Sequence, residues 1–265
     1  MQALAPFPLA SLRVETTLEE VNLVLITEAE VDAGLAMDDP RSRHLLETVK
    51  LTGGQTFHVG VENARRGIAT LKAVSPRVLF SVVWEKSTQC RLPLTVLVGL
   101  PRPQTAKKVL HDLASLGAAK IIFFEAEKGD PGYLASSLWK DGEWREHVVK
   151  GTEQACSTLV PEVTRVTSLA VAIALTDSKA WKVALDPYEA TGPIDTGENI
   201  SAAAVLAIGA ERGFSDRERS TLRAAGFTMA HLGDRILRVE AAALVGGAII
   251  LSQLRVWAAH RPVGA

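Results

Sequence analysis

Two segments near the carboxyl end hold the residues whose types and spacing best suit chemistry. The first, Leu206-Ala207-Ile208-Gly209-Ala210-Glu211-Arg212-Gly213-Phe214-Ser215, leaves an apolar run and enters a turn where two glycines bracket an acid and a base. Such a turn exposes backbone N–H groups at the carboxyl edge of a buried strand, where α/β sheets place ligands. The second, Leu232-Gly233-Asp234-Arg235-Ile236-Leu237-Arg238-Val239-Glu240-Ala241-Ala242, ends a candidate strand in glycine and leads into a very apolar helix. Its two guanidinium groups can bind phosphate or stabilise charge developing on a substrate, with Glu240 beside them. Each segment also has a plainer reading. The first is equally a strand–turn–helix junction, and in the second Glu240 can serve the helix dipole while the arginines stay solvated.

Other chemistries lack their residues. The six histidines (His44, His58, His111, His147, His231 and His260) do not cluster at metal-ligand spacing. Cys90 and Cys156 stand far apart, with no CxxC pair, and are expected to be reduced and at or near the core. No GxGxxG follows the first strand of the α/β region, no P-loop occurs, and no GxSxG elbow occurs. With 29 basic and 30 acidic residues the net charge is −1, so a nucleic-acid site has to be a local patch rather than a global field. Arg41, Arg43 and Lys50 on a short helix, with Arg65 and Arg66 in a turn, are candidates for RNA contact, ordinary solvated charges being the alternative. No apolar run approaches the ~18 residues of a membrane span. The start lacks a basic region followed by a long apolar stretch, so a cytoplasmic chain without a secretory signal is expected.

The elements that must position these residues fall into two groups. At 265 residues and 28.4 kDa, 47% hydrophobic and 22% charged, the chain suits one large globular domain or two small ones. Residues 1–86 read as short strands separated by turn chemistry: 21–26, 56–61, 67–74 and 77–84, with a helix over 40–49. That pattern predicts a small β-barrel. Residues 85–93 read as a linker. From 93 to 265 strands alternate with helices: strands over 94–100, 120–124, 182–185, 203–208 and 227–232, and helices over 104–116, 143–156, 215–225 and 239–257. Gly117 is the expected C-cap of the first helix, and Ser215 with Glu218 forms a capping box. Such alternation predicts an α/β domain with a mostly parallel sheet.

With those elements in place, the two C-terminal segments together resemble the RsmE-type methyltransferases of the SPOUT superfamily. The family pattern Ile-Gly-Pro-Glu-Gly-Gly-Phe-Ser falls on 208–215, and Leu-Gly-x-Arg-Ile-Leu-Arg-x-Glu-Thr-Ala falls on 232–242. Weaker matches lie at 44–55, at 113–117, and at Glu153-Gln154-Ala155-Cys156 with Val160-Pro161-Glu162-Val163. The sequence departs from the pattern at Ala210, Arg212 and Ala241, and Lys128 stands where the family has arginine.

The resemblance implies a PUA-like barrel over 1–86 that contacts RNA, and a trefoil-knotted α/β domain over 93–265. It implies S-adenosyl-L-methionine as cofactor, held by Leu185, Asp186 and Pro187, by Ile208, Gly209, Ala210, Glu211 and Gly213, and by Leu232, Gly233, Ile236, Leu237 and Arg238. It further implies methyl transfer to N3 of a uridine in small-subunit (16S) ribosomal RNA, and a homodimer. Arg235, Arg238 and Glu240 are the expected catalytic residues. Lys128 joins Arg41, Arg43, Lys50, Arg65 and Arg66 as RNA contacts. A diverged non-catalytic RNA-binding protein, or a methyltransferase with another RNA target, fits the same residues.

Overall fold

The computed structural model describes residues 23–86, 89–195 and 201–259. The amino-terminal part contains β1 (Val24–Ile26), α1 (Glu28–Ala33), β2 (Leu35–Ala36), α2 (Pro40–Arg43), β3 (Thr56–Val61), β4 (Arg66–Ala73) and β5 (Arg77–Trp84). The strands form one sheet in the order β1-β3-β4-β5-β2, antiparallel except where β1 joins β3. Alternation along β4 and β5 puts Ala69, Leu71, Val78 and Phe80 on the inner face. There they pack with Phe57, Val59, Leu35 and Leu45, and Phe57 meets Phe80 edge to face at 5.6 Å. The expected small barrel is a curled five-stranded sheet, a half-barrel whose outermost strands, β1 and β2, do not pair with each other among the described residues.

The helix predicted over 40–49 starts as expected. Asp39 accepts the backbone N–H of Arg41 and Pro40 opens the first turn. It then widens into a π-helical turn over His44–Thr48, where Val49 N donates to His44 O. The predicted strand over 21–26 begins at Val24; Val21 and Asn22 lie outside the described residues.

The rest of the chain supplies β6 (Leu92–Gly99), α3 (Pro103–Leu116), β7 (Ala118–Phe124), α4 (Ser137–Lys140), α5 (Trp144–Gln154), β8 (Glu162–Val166), α6 (Leu169–Ala174), β9 (Trp181–Leu185), β10 (Gly192–Pro193), β11 (Ala204–Ile208), α7 (Asp216–Ala224), β12 (Thr228–His231) and α8 (Val239–Gln253). Its seven strands are all parallel, in the order β10-β12-β9-β11-β6-β7-β8. The apolar runs of β6, β7 and β11 follow from burial on both faces. On one face Leu94, Val96, Leu206 and Ile208 pack with Leu110 and Leu113 of α3, Val148 of α5, and Ala243 and Ile250 of α8. On the other, Leu97, Ile122, Val205 and Ala207 pack with Leu169 of α6 and Leu222 of α7.

The sheet order departs from the chain order. β9 lies two places away from β6, β11 occupies the place between them, and β12 pairs with the far side of β9. The chain then comes back so that α8 packs on α3, β6 and β11. Because all the strands are parallel, the loops that follow β9, β11 and β12 emerge at one edge.

Glu153 of α5 ties the two sheets together. Its carbonyl accepts Leu23 N at 3.2 Å and its Oε1 accepts Leu25 N at 2.9 Å. Burial pushes this carboxyl above the usual carboxylate range. Asn63 N donates to Thr158 O at 2.7 Å, and Arg66 reaches Cys156 O at 3.1 Å.

Candidate functional site

The three loops enclose a cleft of about 440 Å³, within the size range of sites for nucleotide-sized ligands. The turn after β11 is the most constrained of its walls. Gly213 N donates to Ala210 O at 2.8 Å, closing a β-turn whose central residues are Glu211 and Arg212. Gly213 has φ +67°, which only glycine adopts without strain. The Glu211 carboxylate accepts the backbone N–H of Arg102 at 2.9 Å, fastening the turn to the loop after β6. Lys128 Nζ donates to Phe214 O at 2.8 Å. At the end of β6, Gly99 lets the turn approach: a Cβ there would sit 2.5 Å from Ala210 N. Ser215 and Glu218 form the predicted capping box of α7.

The loop after β9 is anchored by a buried ion pair. Asp186, 2% exposed, donates its N–H to Ala230 O at 3.1 Å. One of its carboxylate oxygens accepts Tyr188 N at 2.9 Å, and the other meets Nε of Arg219 on α7. This bond holds the Arg219 guanidinium above its ordinary pKa range. Both oxygens of Asp186 therefore have protein partners, and its work is to shape the loop.

The loop after β12 is far less constrained. Gly233 N donates to His231 Nδ1 at 3.1 Å. Residues 233–238 are all exposed, Ile236 at 75%. Arg238 is the N-cap of α8 but makes no side-chain capping bond. Glu240, in the first turn of α8, is largely buried and lies 3.5 Å from Lys108 Nζ.

The cleft brings together Leu185, Asp186, Pro187, Ile208, Gly209, Ala210, Glu211, Gly213, Leu232, Gly233, Ile236, Leu237 and Arg238, with Arg235 and Glu240. Sequence reasoning missed Arg102, Thr105, Tyr188 and His231, which line the same cleft. Arg102 follows the carboxyl edge of β6, so the strand-edge rule could have found it. The pairing of Arg219 with Asp186 leaves no local signal.

The candidate RNA-contact residues lie elsewhere, and none of the six lines this cleft. Arg41 is tied to Asp39, Glu30 and Leu25 O. Arg65 pairs with Glu28 and lies 4.3 Å over the Trp84 ring. Arg66 pairs with Glu85, and Lys128 is used by the Phe214 carbonyl. Arg43 and Lys50 are exposed, and among the described residues neither side chain makes a hydrogen bond or ion pair, although Arg43 lies near enough to Asp39 to help hold that carboxyl low. Among the described residues there is no group of three His, Cys, Asp or Glu able to hold a metal ion, and no helix long and apolar enough to cross a membrane.

Residues 88–251 match the family model of the RNA methyltransferase domain. The chain is 30% identical over 247 residues to the ribosomal RNA small subunit methyltransferase E of Treponema pallidum, covering 89% of this chain and 93% of that protein. It is 28% identical over 237 residues to ribosomal RNA small subunit methyltransferase E 1 of Borreliella burgdorferi, covering 88% and 99%. Among solved structures, the ribosomal RNA small subunit methyltransferase E of Neisseria gonorrhoeae bound to S-adenosyl methionine shares the fold. Its TM-score is 0.72 at 20% identity, covering 88% of this chain and 98% of that one.

Proposed function

The chain belongs to the RNA methyltransferase family, of the RsmE type within the SPOUT superfamily, and from that premise we propose that it is an S-adenosylmethionine-dependent methyltransferase acting on N3 of a uridine in small-subunit ribosomal RNA. The observation that carries the reading is the convergence of three loops, distant in sequence, on one cleft. The residues present fit the cofactor. The cleft is large enough, and its walls combine apolar side chains of Leu185, Ile208, Leu232 and Leu237 with backbone at Gly209, Gly213 and Gly233. Leu185–Pro187, Ile208–Glu211 with Gly213, and Leu232–Arg238 would hold it. When bound, S-adenosylmethionine supplies a methyl group already activated on a sulfonium.

The protein's share of the work is then placement and charge. Arg235 and Arg238 would stabilise the negative charge left on the uracil ring when its N3 proton passes to solvent water, or would hold the nucleotide's phosphate. Glu211 and Glu240 organise the surrounding loops through Arg102 N and Lys108. The amino-terminal unit, residues 1–86, contributes RNA contacts through its exposed basic side chains, Arg43 and Lys50 foremost.

A second copy of the chain completes the assembly. Ile236 and Leu237 of the cleft loop and Leu244 and Val245 of α8 are large apolar residues left exposed, which suits burial in a homodimer. The substrate is a ribosomal RNA or the small ribosomal subunit, met in the cytoplasm.

Calorimetry with S-adenosylmethionine should give saturable binding, and mass spectrometry of ribosomal RNA nucleosides should show N3-methyluridine lost from cells lacking the gene. No binding at millimolar cofactor would turn the reading to a non-catalytic RNA-binding protein, and N3-methyluridine left unchanged would assign a different RNA target. Arg238→Glu should abolish transfer with the fold intact; full activity would remove the role given to this arginine.

A further inference from the structure

The charges around the cleft do not balance. Of its acids, Asp186 is paired with Arg219 and Glu240 with Lys108, while Glu211 accepts the Arg102 N–H and alone keeps an unpaired negative charge. Its lining also includes Arg102, Arg212, Arg235 and Arg238, and among the described residues none of these four guanidinium groups pairs with a carboxylate. Arg102 bonds only the Thr105 hydroxyl through its side chain. S-adenosylmethionine carries a sulfonium, an ammonium and a carboxylate, so its net charge is positive. That ligand does not use all four guanidinium groups, and the cationic excess left over suits a polyanion such as an RNA backbone entering the same cleft beside it.

Arg212 is the member of this set that departs from the family pattern quoted above, which has glycine at its position. It occupies the second central position of the Ala210–Gly213 turn, is exposed, and has no hydrogen-bond or ionic partner among the described residues. The turn is held by Gly213 N, by the Glu211–Arg102 bond and by Lys128, so the arginine is carried on a rigid support at the cleft. The backbone is fixed while the side chain is left free to reach a ligand, and its planar guanidinium can form bidentate hydrogen bonds to phosphate oxygens.

We propose that Arg212 is a phosphate anchor, which grips the RNA backbone next to the target nucleotide and helps to set which RNA this enzyme accepts. The proposal rests on the methyltransferase reading for the identity of the nucleic acid, but its test is read from binding as well as turnover. Arg212→Gly restores the family residue at a position the turn tolerates, and Arg212→Lys retains the charge without the planar fork.

Affinity for a ribosomal RNA fragment is measured by filter binding across a salt series, with cofactor affinity by calorimetry and methyl transfer in parallel. Loss of one phosphate contact should flatten the plot of log affinity against log salt by about 0.7–0.9 for Arg212→Gly. The KM for RNA should rise about fivefold to tenfold, kcat and cofactor affinity should stay unchanged, and Arg212→Lys should recover part of the loss. An unchanged salt slope overturns the proposal, as does a change confined to cofactor affinity. If the wild-type protein shows the Arg212-dependent slope but transfers no methyl group, the anchor stands and the methyltransferase reading falls.

Discussion

The turn Ala210–Gly213 and the loop 232–238 line the same cleft but are held in opposite ways. The turn is closed by its own hydrogen bond, fastened to the β6–α3 loop through Glu211, braced by Lys128, and seated on Gly99, where no side chain would fit. The loop after β12 has one local hydrogen bond, from Gly233 N to His231 Nδ1, and leaves Ile236 and Leu237 in solvent. One side of the site is therefore built before any ligand arrives. The other side acquires its surroundings from what binds, whether cofactor, RNA or a second chain. Rigidity on one side lowers the ordering cost of binding, and an open loop on the other admits a bulky polymer.

This contrast predicts that substitutions around the pinned walls cost stability and those in the open loop do not. The largest effect should come from Arg219→Met, which leaves the buried Asp186 carboxylate without its cation. A loss of about 3–5 kcal/mol is expected by urea denaturation, with cofactor binding weakened in parallel. An Arg219→Met protein as stable as the wild type would show that α7 does not brace the β9 loop.

Gly99→Ala should follow, at about 1–3 kcal/mol, because the new methyl group meets the Ala210 backbone. Its Kd for S-adenosylmethionine should rise at least about tenfold if a 1.4 kcal/mol share of that strain falls on the cofactor wall. Unchanged affinity would mean that the turn can shift without harm to the cleft. Lys128→Met removes one exposed brace and should cost about 1 kcal/mol, visible as a small drop in Tm. The smallest effect belongs to Ile236→Ser, expected to change the stability of a single chain by about 0.5 kcal/mol or less. If the proposed homodimer forms through this loop, the same substitution should weaken self-association in sedimentation experiments, whereas unaltered association would remove the role given to Ile236.

Legibility in the sequence followed the same division between local and distant causes. The alternation of 77–84 gives β5 with its observed ends, and Gly117 and Ser215 mark helix boundaries where the structure has them. Those signals are carried by neighbouring residues. Elements fixed by distant partners were missed. β10 is two residues long and exists through its pairing with β12. Leu169–Ala174 is apolar throughout, with no periodicity to mark it, and becomes α6 because Ser168 caps it and the sheet covers it. The half-exposed edge strand β8 was noticed only as part of a family segment. The small curled sheet was legible from short strands with turn residues between them, whereas which strands lie outermost is a long-range property that composition does not carry. At the site, the glycines, Arg235, Arg238 and Glu240 announced themselves by type and spacing. Arg219 did not, because its partner lies 33 residues away on another element.

The insertion of β11 between β9 and β6, with β12 added outside β9, has a consequence for the timing of synthesis. A growing chain that has emerged only as far as β11 has neither the 232–238 segment nor the covering α8, and therefore no cleft. Such non-sequential pairing is slow to form and comes late. The cleft thus arises in one step, once residues 232–253 are in place, and a nascent or prematurely terminated copy that stops before them lacks it.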